Sequence, residues 1–177
     1  MALANPTLPY GLRDVKLRPI DAAGVVGASV DLPVARTFSF TEAEDFEELR
    51  GDDKVVAIRG KGPSVDWELE SGGISLLAHK VMSGGTTTAS GTTPNEKLVL
   101  KKLTTDARPY FQVEGQAISD SGGDFHVKLF KCRASDSLEG EMADGQFWLT
   151  SASGQAIGNA ADELYEFTAN ETAVAVA

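Results

Sequence analysis

The chain is short of the residues from which most catalytic and metal centres are built. It has one cysteine, Cys132, and two histidines, His79 and His126, in 177 residues. One cysteine cannot form an internal disulfide, which excludes the stapled scaffolds of small secreted domains. Only 7% of residues are aromatic, with two tryptophans. Clustered exposed rings, as a carbohydrate-binding β-sandwich would show, are therefore not expected, and Trp67 reads as core. No apolar run approaches the roughly 20 residues of a membrane span, so no membrane partner is expected. The opening "MALANPTLPYGL" has neither a basic stretch nor an apolar one and does not read as a signal peptide. The expectation is a soluble chain made in a cytoplasm. Basic residues are in the minority, 16 against 26 acids, for a net charge of -10. This argues against gripping nucleic acid, where affinity rests on Lys and Arg neutralising phosphates. A surface of like charge would instead let nucleic acid pass without sticking.

What the chain has in quantity is glycine, 18 residues, set among short apolar runs. That pattern predicts strands joined by tight turns in a single domain over 1–177. Residues 1–11 read as an extended N-terminal arm and 12–20 as a strand. Residues 25–40 read as strand, with Pro33 implying an edge position, a bulge or a break. "DKVVAIRGKG" is a strand closed by a Gly-Lys-Gly turn. "VDWELE" (65–70) is the cleanest period-two signal, with Val65, Trp67 and Leu69 inward. The period then changes. Ile74, Leu77, Ala78 and Val81 share a helical face, with Ser71 as cap and Gly84 or Gly85 as stop. "TTTASGTTPN" and "SDSLEGEMADG" read as loops. "EKLVLKKLTT", "YFQVEGQAIS", "FHVKLFKCRA", "QFWLTSAS" and "DELYEFTA" read as strands. Residues 170–177 read as a flexible C-terminal tail without an anchor. The order lacks the alternation of a parallel doubly wound sheet. The expected fold is mainly β, an antiparallel β-sandwich or barrel with one flanking α-helix.

Catalytic signatures are missing: no G-x-S-x-G, H-E-x-x-H, Walker A or dinucleotide fingerprint. His79 falls on the solvent side of the helix. His126 and Cys132 are six residues apart on one strand, roughly 20 Å, too far for a dyad. Asp136, Glu139, Glu141 and Asp144 do not have the spacing of a calcium loop and read as a solvated loop. The "NET" sequon at Asn170 reads as chance. No enzyme activity, cofactor or metal is expected.

The unusual segment is "EAEDFEELRGDD". Thr41 to Asp53 contains seven acids and one base, Arg50. So many like charges repel one another, while Phe46 and Leu49 give the segment an apolar side. An arm docked on a neighbouring subunit would hide both residues.

The layout resembles the major tail tube proteins of long-tailed bacteriophages, in particular those of phages infecting actinobacteria. The resemblance is carried by "TFSFTEAEDFEELRGDDKVVAIRGKG", "VDWELESGGISLLAHKVMSGG", "RPYFQVEGQAISDSGGDFHVKLFKCRA" and "LEGEMADGQFWLTSASGQAI", together about residues 35–158. It implies a β-sandwich with a flanking helix, six copies of which join their sheets into a ring. Rings stack into a hollow tube in the virion, after assembly in the host cytoplasm. The implied partners are identical copies, a tape-measure protein, a tail terminator and distal tail proteins, with phage DNA passing through unbound. Residues 38–60 match the long acidic hairpin that contacts the adjacent ring and subunit. The contact residues so implied are Glu44, Asp45, Phe46, Glu47, Glu48, Leu49, Arg50, Asp52, Asp53, Lys54 and Arg59. Asp120, Asp124 and "VDWELE" are candidates to face the lumen. Competing readings are a ring-forming secretion-system tube protein, a monomeric ligand-binding β-sandwich and a small hydrolase.

Overall fold

In the computed structural model, residues 8–120, 122–140 and 143–176 are described. The chain runs through β1 (Pro9–Ile20), β2 (Val30–Asp31), β3 (Ala35–Gly51), β4 (Lys54–Gly72), α1 (Leu76–Ser83), β5 (Thr86–Ser90), β6 (Lys97–Lys101), β7 (Tyr110–Ser119), β8 (Asp124–Gly140), β9 (Leu149–Ala156) and β10 (Tyr165–Asn170). The fold is mainly β and every strand pairing is antiparallel. One sheet has the order β2-β1-β7-β8-β9-β4-β3, with β10 on the edge of β8. β5 and β6 form a separate hairpin.

Period-two patterning decides which sides of the strands meet. Val15 and Leu17 of β1, Phe111 and Val113 of β7, Val65, Trp67 and Leu69 of β4, and Ala152 and Ala156 of β9 are buried together. Leu129 and Cys132 of β8 complete the layer, and Trp67 meets Phe111 edge-on at 5.6 Å. The sheet curls so far that Phe38 of β3 lies against Gly115 of β7, where any side chain on residue 115 would collide with its ring. Fully burying one such apolar side chain stabilises by about 1.5–3 kcal/mol.

The helix has eight residues and closes one side of this layer with Ala78, Val81 and Met82. Ser75, not Ser71, caps it: Ser75 Oγ accepts from the Ala78 amide at 3.3 Å. Ser71 is a buried residue of β4. Because the helix starts at Leu76, Ile74 lies outside it, and both Ile74 and Leu77 are largely exposed. Gly84 ends it at φ 82°, a left-handed conformation that suits glycine.

Several segments expected as loops or ends are strands. Residues 9–11 belong to β1, and the amide of Leu8 donates to Ser119 Oγ at 3.0 Å; the first seven residues of the expected arm lie outside the described residues. Thr86–Ser90 pairs with Lys97–Lys101, so the threonine-rich stretch is half of a hairpin. β8 continues to Gly140, because β9 supplies a partner for Leu138–Gly140. That takes in most of the acid-rich loop expected there; Glu141 lies outside the described residues. The Gly-Lys-Gly segment does not end its strand. β4 runs through it with a register shift between Ala43 and Asp45, Gly62 taking φ 56°. Pro33 does mark a break, with Val34 beyond it at φ 55°.

Candidate assembly surface

β3 and β4 pair from Ala35/Ser71 to Gly51/Lys54 as one long antiparallel ribbon. Asp52 and Asp53 make the two-residue tip, at φ 51° and 62°. Two left-handed residues in succession match the strand twist of a tight hairpin, and aspartate tolerates that region better than most side chains. The acidic stretch is therefore the outgoing strand and tip of a hairpin.

The root of the ribbon is sewn down. β4 pairs with β9 only over Val65–Gly72. A chain of rings, Phe38 to Phe40 at 6.0 Å and Phe40 to Phe167 at 5.6 Å, ties β3 to β10. Phe125 and Tyr165 extend it at 5.6 and 4.9 Å from Phe167. Tyr165 donates to Glu42 at 3.0 Å, and that carboxylate raises the Tyr165 pKa.

Beyond the root, all residues from Thr41 to Arg59 are exposed. Cross-strand pairing puts Phe46, Glu48, Ile58 and Gly60 on one face, and Asp45, Glu47, Leu49, Arg59 and Lys61 on the other. Phe46 and Leu49 are each 64% exposed, Val56 66% and Ile58 61%. Among the described residues no layer covers this part of the ribbon, and two uncovered strands are marginal alone in water. Glu47 pairs with Lys61 at 2.6 Å and Glu48 with Arg50 at 2.8 Å. Glu44 packs over Gly60. Among the described residues, Glu44, Asp45, Asp52, Asp53, Lys54 and Arg59 have no ion-pair partner. The candidate contact residues thus share one projecting element.

Asp124 is different. Its side chain is fully buried, so it presents no carboxylate to a channel, unlike exposed Asp120. It accepts from Gln116 Nε2 at 2.6 Å, from the Val174 amide at 2.8 Å and from Asn170 Nδ2 at 2.8 Å. His126 bridges Asp124 at 2.9 Å and Glu114 at 3.0 Å. Glu114 also meets Arg18 at 3.2 Å and Lys128 at 3.6 Å. Burial opposes ionisation of Asp124, but the bonds from Gln116, Val174, His126 and Asn170 outweigh it and hold the carboxyl far below its ordinary value. For His126, burial likewise opposes charge, and Glu114 and Asp124 outweigh it, raising the imidazole pKa.

The lid of this cluster is the C-terminal segment that reads from sequence as an unanchored tail. Val174 O accepts from Gln116 at 2.8 Å, Val176 O accepts from Lys16 Nζ at 2.8 Å, and the Val176 side chain is buried. The Asn170 amide of the sequon is used in holding Asp124. Sequence reasoning missed this cluster. Its signal is the polar file Gln112, Glu114, Gln116 inside an otherwise apolar strand, opposite His126 and Lys128.

A cleft of about 740 Å³ lies between Val34, Arg36, Gly72–Gly73 and Gly145–Leu149. Phe147 stands at its rim 94% exposed. Cys132 is buried in the core, where its thiol pKa is pushed up by loss of solvent. His79, half-buried on α1, has its pKa lowered by burial and by Lys102. Among the described residues no three His, Cys, Asp or Glu side chains are grouped to hold a metal ion, and no helix is long and apolar enough to cross a membrane. No protein-family model and no curated protein matches the chain.

Proposed function

We propose that this chain is a structural virion protein, the tail tube subunit of a long-tailed bacteriophage, which self-assembles into stacked rings around a channel for DNA. The observation that carries the reading is the projecting β3–β4 ribbon, with its exposed apolar side chains, unpaired charges and missing covering layer. A monomer gains nothing from holding Phe46, Leu49, Val56 and Ile58 in water; burial on another copy would contribute about 1.5–3 kcal/mol for each side chain fully covered. A net charge of -10 suits a wall past which phosphate slides. Six-fold rotation closes a head-to-tail interface into a ring, and an axial contact that does not close yields a tube. Identical copies, a tape-measure protein, a terminator and distal tail proteins are the partners in this reading, and the site of action is the virion tail.

Replacing residues 44–63 by Asn-Gly joins the paired Ala43 and Ser64 by a tight turn. The expected product is a folded monomer, with the far-ultraviolet spectrum of a β protein, that forms no tubes in negative stain. Tubes of normal length from this variant would refute the reading. The cleft beside Phe147 favours a second reading, a ligand-binding β module. A wild-type protein that stays monomeric at millimolar concentration would favour it.

A further inference from the structure

The two long edges of the ribbon carry opposite charge. Along β3, Thr41–Asp53 holds seven acids and Arg50. Along β4, residues 54–64 hold Lys54, Arg59 and Lys61 and no acid. Both edges are open. Among the described residues β3 pairs with β4 alone, and β9 covers β4 only from Val65 onward. Each edge therefore displays unused backbone donors and acceptors beside side chains of one dominant sign.

We infer that the ribbon is a self-complementary docking element in which the basic β4 edge of one copy pairs with the acidic β3 edge of the next. This rests on the reading that the chain assembles, and it names which surfaces meet. Copies related by rotation about an axis along the ribbons place β3, β4, β3 and β4 in alternating direction. Every new contact is then antiparallel, like those already in the sheet. The face bearing Asp45, Glu47, Arg59 and Lys61 continues across each boundary as alternating acid and base. The Glu47–Lys61 contact at 2.6 Å within one ribbon is the pair type repeated between ribbons. The opposite face carries Phe46 and Ile58 beside Glu48.

Charge on an edge strand ordinarily keeps strands apart. Here the same charges discriminate. A two-fold arrangement would bring β3 against β3, acid on acid, or β4 against β4, base on base. Only the head-to-tail arrangement brings opposite signs together. The charges thus select the heterologous contact, which propagates, over the isologous one, which stops at two copies.

The test uses full-length protein in sedimentation velocity and negative stain. On the face that bears residues 45, 47, 59 and 61, variant R59E/K61E is acidic on both strands and variant D45K/E47K is basic on both strands. Each alone is expected to remain monomeric where wild type assembles. Mixed in equal amounts they regain assembly, because each edge again faces its opposite. The fourfold variant D45K/E47K/R59E/K61E assembles by itself. Recovery on mixing also shows that neither variant has failed to fold. Raising salt from roughly 0.05 to 1 M, where screening shortens from over 10 Å to about 3 Å, is expected to weaken wild-type association. If R59E/K61E assembles as wild type does, or the mixture does not recover, edge docking is overturned while the tube reading stands. If wild type itself never assembles, both fall.

Discussion

The molecule treats its two charged regions in opposite ways. On the ribbon, acids and bases stand in water beside exposed apolar side chains, and among the described residues six of the ten charged residues from Glu44 to Lys61 have no ion-pair partner. Along β1, β7 and β8, Arg18, Glu114, Asp124 and His126 form one network, with the C-terminal segment bonded to Asp124 and His126 and each carboxylate given several partners. Both regions are polar files on β-strands. The difference is the cover. Where a segment of the same chain lies on top, charges must be matched atom by atom, because an unmatched buried charge is expensive. Where none of the described segments lies on top, charges stand in water and need no such matching.

The contrast can be broken at its buried end first. Asp124→Ala leaves His126, Gln116 and the Val174 amide without their shared acceptor. The expected loss is about 3–5 kcal/mol, read from guanidine unfolding, with little change in assembly of protein that remains folded. Removing residues 171–177 takes away the Val174 bonds and the Val176 side chain. The expected loss is about 2–3 kcal/mol, accompanied by faster amide exchange along β7. An unchanged unfolding midpoint would mean that the lid contributes nothing.

Protonation sharpens the comparison further. His126 has a raised pKa, so its contribution is fully present below the ordinary histidine value and fades as pH rises through the folded value. Asp124 is lowered, so its contribution is present above the ordinary carboxyl range and fades only as pH falls through the folded value. The cluster is therefore strongest between roughly pH 4 and 6.5. Stability should decline on raising pH above that window, and His126→Gln should remove that part of the slope. At the exposed end, Lys61→Ala should alter monomer stability by less than about 1 kcal/mol, since surface ion pairs contribute little. Its effect should appear in assembly instead. A large loss of monomer stability there would erase the distinction between the two regions.

Much of the fold was legible in local pattern. Alternation in "VDWELE" identified a strand and its inward side, and "YFQVEGQAIS" was legible as a strand. Gly84 identified a helix end, and the acids around Asp52 lay where a hairpin turns. The errors came where a partner strand overrode local preference. Thr86–Ser90 looks like a loop until Lys97–Lys101 pairs with it, and Ser135–Gly140 looks like a loop until β9 arrives. Ser71 looks like a cap, but its strand continues past it.

Sequence by itself determined the period of each strand, the sign of charge on each ribbon edge and the scarcity of catalytic side chains, because all of these are properties of neighbours along the chain. Tertiary structure alone decided which polar file would be buried. Gln112, Glu114 and Gln116 alternate in the same way as Glu44, Phe46 and Glu48. Only the return of Val174 to Asp124, across more than forty intervening residues, and of Val176 to Lys16 distinguishes them, and a period of two says which side chains share a face but never what lies over it.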